Sequence, residues 1–276
     1  MIKKKFPVFL FAFFILLPGV GEAFIPQAPH LLYLVMEKIR QPAGIEAFQT
    51  KKILNYKDPG KGFNKLEEKL YFLYPGRFRC EITSETLTSF SVESDHEFVK
   101  VMDGIIVSHE KSPVDLYTDI LLYRDHESLL NRLAEEGIDT TEVSLQRYND
   151  IICYVIGRPL EKGKPFAGLW IEKDTFLPMK YMVEKNGYMV EIFYHNWRRV
   201  SKTWYPMQVV IFLDNQLSVM VDVKSFDLKS GFLPSLFDID HIKKLYPENN
   251  PGFQDENSKQ VDELDKRIED FNKLYK

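Results

Sequence analysis

Histidine, cysteine and clustered acids are the side chains that most often carry nucleophilic, acid–base or metal chemistry, and here they stand in none of the spacings that such chemistry uses. His96, His109 and His126 each precede a glutamate, but no second ligand follows at helical spacing, so they read as surface histidines. Asp238, Asp240 and His241 offer three donor groups, yet neighbouring acids near a chain tail are normally solvated. Gly60-Lys61-Gly62 is a fragment of a phosphate loop, and Asp58-Pro59-Gly60 beside it supplies turn chemistry, which makes a hairpin turn the reading. The chain contains no Gly-x-Ser-x-Gly elbow, Cys-x-x-Cys or His-Glu-x-x-His. The expectation is therefore a binding protein and not an enzyme, with no catalytic residues, no metal and no cofactor. A catalytic triad dispersed along the chain is the remaining alternative.

Trp197, Arg198 and Arg199 could in principle stack on a nucleobase. With 36 basic against 40 acidic residues the chain lacks the basic footprint of a nucleic-acid binder, and a cation–π arrangement at a strand end is the better reading. Cys80 and Cys153 both sit in apolar, strand-like runs. A disulfide and two buried thiols are both open.

The start of the chain bears on that choice. Lys3, Lys4 and Lys5 are followed by an apolar run from Phe6 to Leu17 and by small residues at Gly21 and Ala23. This is the grammar of a secretory signal peptide at residues 1–23. The run is well short of the roughly 20 residues that cross a bilayer. A periplasmic protein that is not itself lipidated is expected.

The rest divides into a domain at residues 24–237, a linker at 238–257 and an amphipathic helix at 258–276. An opening helix runs from Pro29 through Leu31, Leu32, Leu34, Val35 and Ile39, and must end before Pro42. Period-two segments follow at Ile45 to Tyr56, Leu66 to Leu73, Arg77 to Thr83 and His96 to Met102. Between 113 and 137 the period becomes helical, through Leu116, Ile120, Leu121, Leu129, Leu130 and Leu133, with Gly137 as the C-cap. Strands resume at Val143 to Arg147, Ile151 to Gly157, Gly168 to Glu172, Met179 to Glu184, Tyr188 to Tyr194, Tyr205 to Leu213 and Leu217 to Phe226. The fold class is α+β and mainly β, with about 10–11 antiparallel strands. In the tail, Pro247 to Gly252 make the linker, and Val261, Leu264, Ile268, Phe271 and Leu274 form an apolar stripe. That stripe would dock on the sheet or contact an envelope protein.

Alternation sorts the strand residues by face. Tyr205, Met207, Val209, Ile211 and Leu213 share one side and Trp204, Val210 and Phe212 the other; Met179 joins Tyr181 and Val183, with Met182 opposite. The rows Leu70/Phe72, Phe78/Ile82, Tyr181/Val183, Val190/Ile192, Val209/Ile211 and Val219/Val221 project together. Such rows can line a pocket for an apolar ligand or form an ordinary core.

Several short motifs lie along these strands. A strand ends in an acidic turn and passes through Leu-Pro to the next, from Glu172 to Pro178; a strand opens at Tyr205-Pro206; and the series finishes at Leu236-Phe237. In the first half, Leu70 to Ile82 reads as a strand, a proline-centred turn and an arginine-bearing strand. This order resembles the LolA/LolB lipoprotein-carrier superfamily. The resemblance implies a curved, unclosed antiparallel β barrel whose apolar concave face is covered by helices, and a monomeric carrier or chaperone for the acyl chains of lipids or lipoproteins in outer-membrane sorting. It makes the twelve row residues the lipid-binding candidates. A sensor or scaffold of the same fold is the alternative. Where the carriers have Arg-Pro at the turn, this chain has Tyr74-Pro75. The arginine that they use in ligand release is not matched.

Fusing residues 1–30 to a reporter is expected to send it to the periplasm, and the processed protein should begin at Phe24. A soluble cytoplasmic product still starting at Met1 would refute the signal.

Overall fold

The computed structural model describes residues 25–54, 63–83, 88–159 and 164–248. The expected signal peptide, the turn at Gly60-Lys61-Gly62 and the amphipathic stripe at 258–276 lie outside them. Helix α1 (Ala28–Ile39) opens with proline in its first turn and buries Leu31, Leu32, Val35 and Ile39. It stops at Arg40, whose N–H returns to the Met36 carbonyl.

Six strands follow: β1 (Gly44–Leu54), β2 (Phe63–Leu73), β3 (Arg77–Thr83), β4 (Thr88–Ser94), β5 (Glu97–Met102) and β6 (Ile105–Ser108). A helical crossover comes next. It comprises a 3-10 turn (Pro113–Thr118), α2 (Asp119–Leu122) and α3 (His126–Glu135). Asp125 caps α3 by accepting from the Ser128 N–H at 2.9 Å. Gly137, at φ +82°, closes it as expected.

Seven more strands complete the sheet: β7 (Val143–Tyr148), β8 (Ile151–Ile156), β9 (Gly168–Glu172), β10 (Pro178–Lys185), β11 (Tyr188–Val200), β12 (Thr203–Leu213) and β13 (Gln216–Leu228). A second 3-10 turn (Pro234–Phe237) and α4 (Ile239–Leu245) follow. Helix α4 thus occupies part of the segment expected to be a linker, because Ile239 and Ile242 find an apolar seat.

All thirteen strands form one open antiparallel sheet in the order β6-β5-β4-β3-β2-β1-β13-β12-β11-β10-β9-β8-β7. The chain is two meanders joined edge to edge. Every neighbouring pair but one is adjacent in sequence; the exception, β1 with β13, runs from Ile45↔Leu228 to Ile53↔Val219. The count exceeds the expected 10–11 because β4 and β6 escape the period-two reading. On β4 the inward parity is Ser89, Ser91 and Glu93, and β6 has four residues. Bulges at Phe48/Gln49, Lys100/Val101, Pro178/Lys180 and Ile211/Phe212 bend the sheet.

Three apolar clusters use its two faces. The main core lies on the concave face beneath α1 and the crossover. On the convex side, Val92, Val99, Val101 and Ile106 are covered by Phe237, Ile239 and Ile242, and Cys153, Val155, Trp170 and Met182 form a third group. Met179 belongs to this third group, its Sδ 3.7 Å from Cys153 Sγ. That corrects its expected place beside Tyr181, since the bulge at Pro178/Lys180 shifts its parity.

Both cysteines are free and buried. Cys80 belongs to the concave core and Cys153 to the convex group, eight strands away in the sheet, so no disulfide joins them. Burial pushes both thiols up. A thiol reagent at neutral pH should leave both cysteines of the native protein unmodified and titrate both after unfolding. Rapid native reaction of Cys80 would show that the concave core is open.

Candidate functional site

The twelve row residues come together. Leu70, Phe72, Phe78 and Ile82 from β2 and β3, Tyr181, Val183, Val190 and Ile192 from β10 and β11, and Val209, Ile211, Val219 and Val221 from β12 and β13 are all buried in the concave core. Alternation holds because these stretches are regular, with Tyr181↔Ile192, Val183↔Val190, Ile192↔Ile211 and Ile211↔Val219 in direct register. Val210 and Phe212 stay partly exposed outside the concave core, whereas Trp204, expected beside them, packs against that core under Lys38 of α1, whose ammonium lies 5.4 Å from its ring.

What covers this face is the protein's own helices. Leu31, Leu32, Val35 and Ile39 of α1, Leu116, Ile120 and Leu121 of the crossover and Leu129 and Leu133 of α3 pack into the same core. The face is filled in this conformation. The cavity nearest to it measures about 20 Å³, enough for a water molecule. A pocket for an acyl chain, at roughly 300 Å³ or more, requires the cover to move.

The cover is held by side chains. No backbone–backbone hydrogen bond among the described residues links 113–136 to a strand. Instead the Tyr74 hydroxyl donates to the Leu121 carbonyl at 2.7 Å, and the Tyr194 hydroxyl to the Tyr117 carbonyl at 2.9 Å. Burial pushes the Tyr74 phenol up to about 12, so it remains a donor. Arg124, at the elbow between α2 and α3, donates to the carbonyls of Ile39, Arg40 and Leu121 at 3.1–3.3 Å. Its guanidinium lies 5.6 Å from the Tyr74 ring and 5.9 Å from the Tyr205 ring. Tyr74, the residue that departs from the carriers' Arg-Pro, therefore holds the cover together with Arg124.

Charged groups that the sequence reading did not single out complete the clasp. Parity puts Gln49 and Lys51 of β1 on the same face as Ile45, Ala47 and Ile53, and this was the available signal. Lys51 pairs with Asp115 of the crossover and lies 3.6 Å from Glu68. Gln49 donates to Glu68 at 2.6 Å and to the Tyr117 hydroxyl at 2.7 Å. Lys111 pairs with Glu93 and with Asp119, and Arg132 reaches Asp119 and Glu136. Lys185 of β10 meets Glu136 from the other half of the sheet at 3.0 Å.

Burial pushes the Glu68 carboxyl up, and the nearby ammonium of Lys51 recovers only part of that. Burial acts on Asp115 too, but Lys51 and Lys100 outweigh it and hold its carboxyl below the usual range. Burial lowers the Lys100 ammonium to about 8.

The remaining candidates have structural places. Asp238 caps α4 by accepting from the His241 N–H at 2.9 Å. Among the described residues, no three histidine, cysteine or acidic side chains group as a metal site would. His96 stacks on Tyr123, His109 pairs with Glu248 at 3.3 Å, and His126 meets the Tyr33 ring edge-on. Trp197 donates to the Pro178 carbonyl at 3.0 Å, Arg198 lies over Phe226, and Arg199 donates to the Ser201 carbonyl.

An open, curved antiparallel sheet with helices across its concave face defines the class of protein. No family model matches the chain, and no curated protein matches it significantly. Solved structures do. A domain described as an outer membrane lipoprotein-sorting protein from Vibrio parahaemolyticus aligns over 78% of this chain and 98% of its own, at 10% identity and a TM-score of 0.52. A LolA superfamily protein from Nitrosomonas europaea aligns over 79% and 100%, at 13% identity and a TM-score of 0.53. A DUF1329 family protein from Desulfovibrio piger gives 79% and 100%, 13% and 0.52. The chain has a LolA-like fold.

Replacing Arg124 by methionine keeps the apolar stem but removes the side-chain donor of the Ile39 and Arg40 carbonyls and leaves the Leu121 carbonyl with Tyr74 alone. We expect a loss of about 2–4 kcal/mol in urea unfolding with the m-value unchanged. A change below about 0.5 kcal/mol would show that Arg124 does not hold the cover.

Proposed function

We propose that this protein binds acyl chains on the concave face of its sheet and acts as a periplasmic lipid or lipoprotein carrier or chaperone in outer-membrane sorting. The observation that carries the reading is that the continuous apolar face is covered by a segment, residues 113–136, that side chains alone attach to the strands. Lifting that segment breaks no strand pairing, so the sheet can exchange its own helices for a ligand and remain folded. The closed state also carries a cost. The hydroxyls of Tyr181 and Tyr205 and Nη2 of Arg124 are buried without a hydrogen-bond partner among the described residues.

Ten buried methylenes at ~0.8 kcal/mol each supply ~8 kcal/mol, which offsets part of the apolar surface uncovered on the helices and the freedom lost on association. The likeness to a lipoprotein-sorting domain and to a LolA superfamily protein supports this reading at the level of fold. No helix among the described residues is long and apolar enough to cross a membrane. The signal peptide read at residues 1–23 supports export. The twelve row residues are the ligand-contacting surface in this proposal, and the working form is a monomer that needs no cofactor or metal.

Two measurements test it. A fluorescent fatty acid should bind the purified protein with micromolar affinity, and amides of residues 119–135 should exchange faster with solvent deuterium in the loaded protein while those of β10 to β13 stay protected. If well-folded protein carries no lipid from cells and takes up none in titration, the carrier reading fails. An envelope sensor or scaffold of the same fold then replaces it.

A further inference from the structure

Trp197, Arg198 and Arg199 have places in the fold, and those places leave the charges of the two arginines without a counter-ion. All three stand near the end of β11, and the turn after Val200 brings Lys202 and Trp204 back beside them, with Arg199↔Trp204 and Val200↔Thr203 in register. Helix α1 ends against the same hairpin. Its Lys38 ammonium lies 5.4 Å from the Trp204 ring, and the Arg198 guanidinium lies 5.5 Å from the Phe226 ring of β13. Arg198, Arg199 and Lys202 are exposed and Lys38 is half-buried. Among the described residues, no carboxylate pairs with any of the four.

The charge of this corner is positive when every neighbour is counted. Of the carboxylates on α1, β1 and β11 to β13, Glu37 is taken by Arg40 at 4.0 Å, Glu46 by Lys69 and Lys229, Glu191 by Lys180, and Asp222 by Lys52. That leaves Asp227, exposed beside Phe226, to set against the four cations and against Lys224 of the same strand. The β9–β10 turn, which Trp197 approaches through its bond to the Pro178 carbonyl, adds one charge of each sign at Lys173 and Asp174. A chain with 36 basic and 40 acidic residues thus gathers a local excess of positive charge here.

The apolar neighbours decide which anionic partner suits that charge. Trp197, Val200 and Trp204 are partly buried and pack against the main core, so the concave core reaches the surface at this hairpin. Tryptophans flanked by cations at the rim of an apolar interior match a membrane–water interface, where the rings lie among the headgroups and the cations meet lipid phosphates. A nucleic acid would need a wider basic footprint. We infer that the β11–β12 hairpin and the end of α1 form the surface by which the protein lands on an anionic bilayer, with Lys38, Arg198, Arg199 and Lys202 against lipid phosphates and Trp197 and Trp204 at headgroup level. The rim of the concave core then faces the membrane. The inference stands on the charges and rings of this rim and not on the acyl-binding reading, to which it adds a route between bilayer and core.

The test is flotation of the processed protein, Phe24 to Lys276, with vesicles of phosphatidylcholine alone and of phosphatidylcholine mixed with phosphatidylglycerol. Wild type should favour the anionic vesicles about tenfold or more at low salt, and the preference should shrink as salt is raised. Arg198→Gln with Arg199→Gln should lower binding to the anionic vesicles about tenfold or more. Lys38→Gln with Lys202→Gln makes the same comparison if the arginine pair does not fold, and a thermal melt accompanies each variant. Lys65→Gln with Lys244→Gln removes as much charge from exposed positions on β2 and α4 and should change binding by about twofold or less. If both pairs lose binding equally, overall charge is responsible and the hairpin site is overturned. It is also overturned if wild type binds both kinds of vesicle alike, or if it ignores vesicles and takes up polyglutamate, which would make the patch a site for an acidic protein. A fatty-acid titration of the arginine variant keeps the two readings apart. Lost flotation with unchanged fatty-acid uptake is expected, whereas equal loss of both would put the arginines in the ligand site instead. A wild type that floats and takes up no fatty acid would leave the landing surface standing while the carrier reading fails.

Discussion

The pairing of β1 with β13 turns two meanders into one surface, and the concave face exists only because of it. Every other strand contact is a hairpin or its equivalent, formed between neighbours in sequence. This one joins residues about 170 positions apart, and its loop-closure entropy must be met before the apolar rows of the two halves can share a core. The seam has side-chain support, as Lys52 pairs with Asp222 across it. Without the seam, Leu70 and Phe72 would face one half-core and Ile211 and Val219 another.

The position of the helices follows from the same pairing. Joining β1 to β13 puts β6 and β7, the strands at the two ends of the crossover, on opposite edges of the sheet. Residues 113–135 must therefore travel from one edge to the other, and the face with the larger apolar area takes them. The convex face is treated differently. At the β4 to β6 end the second 3-10 turn and α4 cover it, while the β8 to β10 end keeps a smaller cluster around Trp170.

The parts legible in the sequence are those in which one local rule acts alone. Val209, Ile211, Val219 and Val221 were assignable because an unbroken strand alternates and one face is buried. Gly137 was assignable because a helix end requires a residue that tolerates positive φ. Met179 was misplaced because a bulge one residue away changes parity without any glycine to mark it. Strand β4 was missed because its inward side chains are serines and a glutamate, and the glutamate's partners come from the chain after β6. Tyr123 donates to Glu93, and Lys111 pairs with it. Lys51 and Glu68 had the right parity, but a charge on an inward face makes sense only once Asp115, distant in sequence, is known to meet it.

The buried charges also bear on why the concave core is not simply apolar. Replacing a buried ionic cluster with well-packed hydrophobic residues is often neutral or stabilising, whereas removing one partner costs about 3–5 kcal/mol. The clasp made by Lys51, Glu93, Lys111, Asp115, Asp119 and Arg132 is therefore a poor way to gain stability and an effective way to make the cover's position all-or-none. Apolar side chains can slide past one another with small changes in energy; an ammonium withdrawn from a carboxylate inside the core gives up a charge pairing that apolar contacts do not replace. A cover held in this manner stays in register until something supplies the missing charge or admits water to the site. In the proposed carrier the hydrocarbon rows provide affinity without selectivity, since any apolar chain fits against valine and isoleucine.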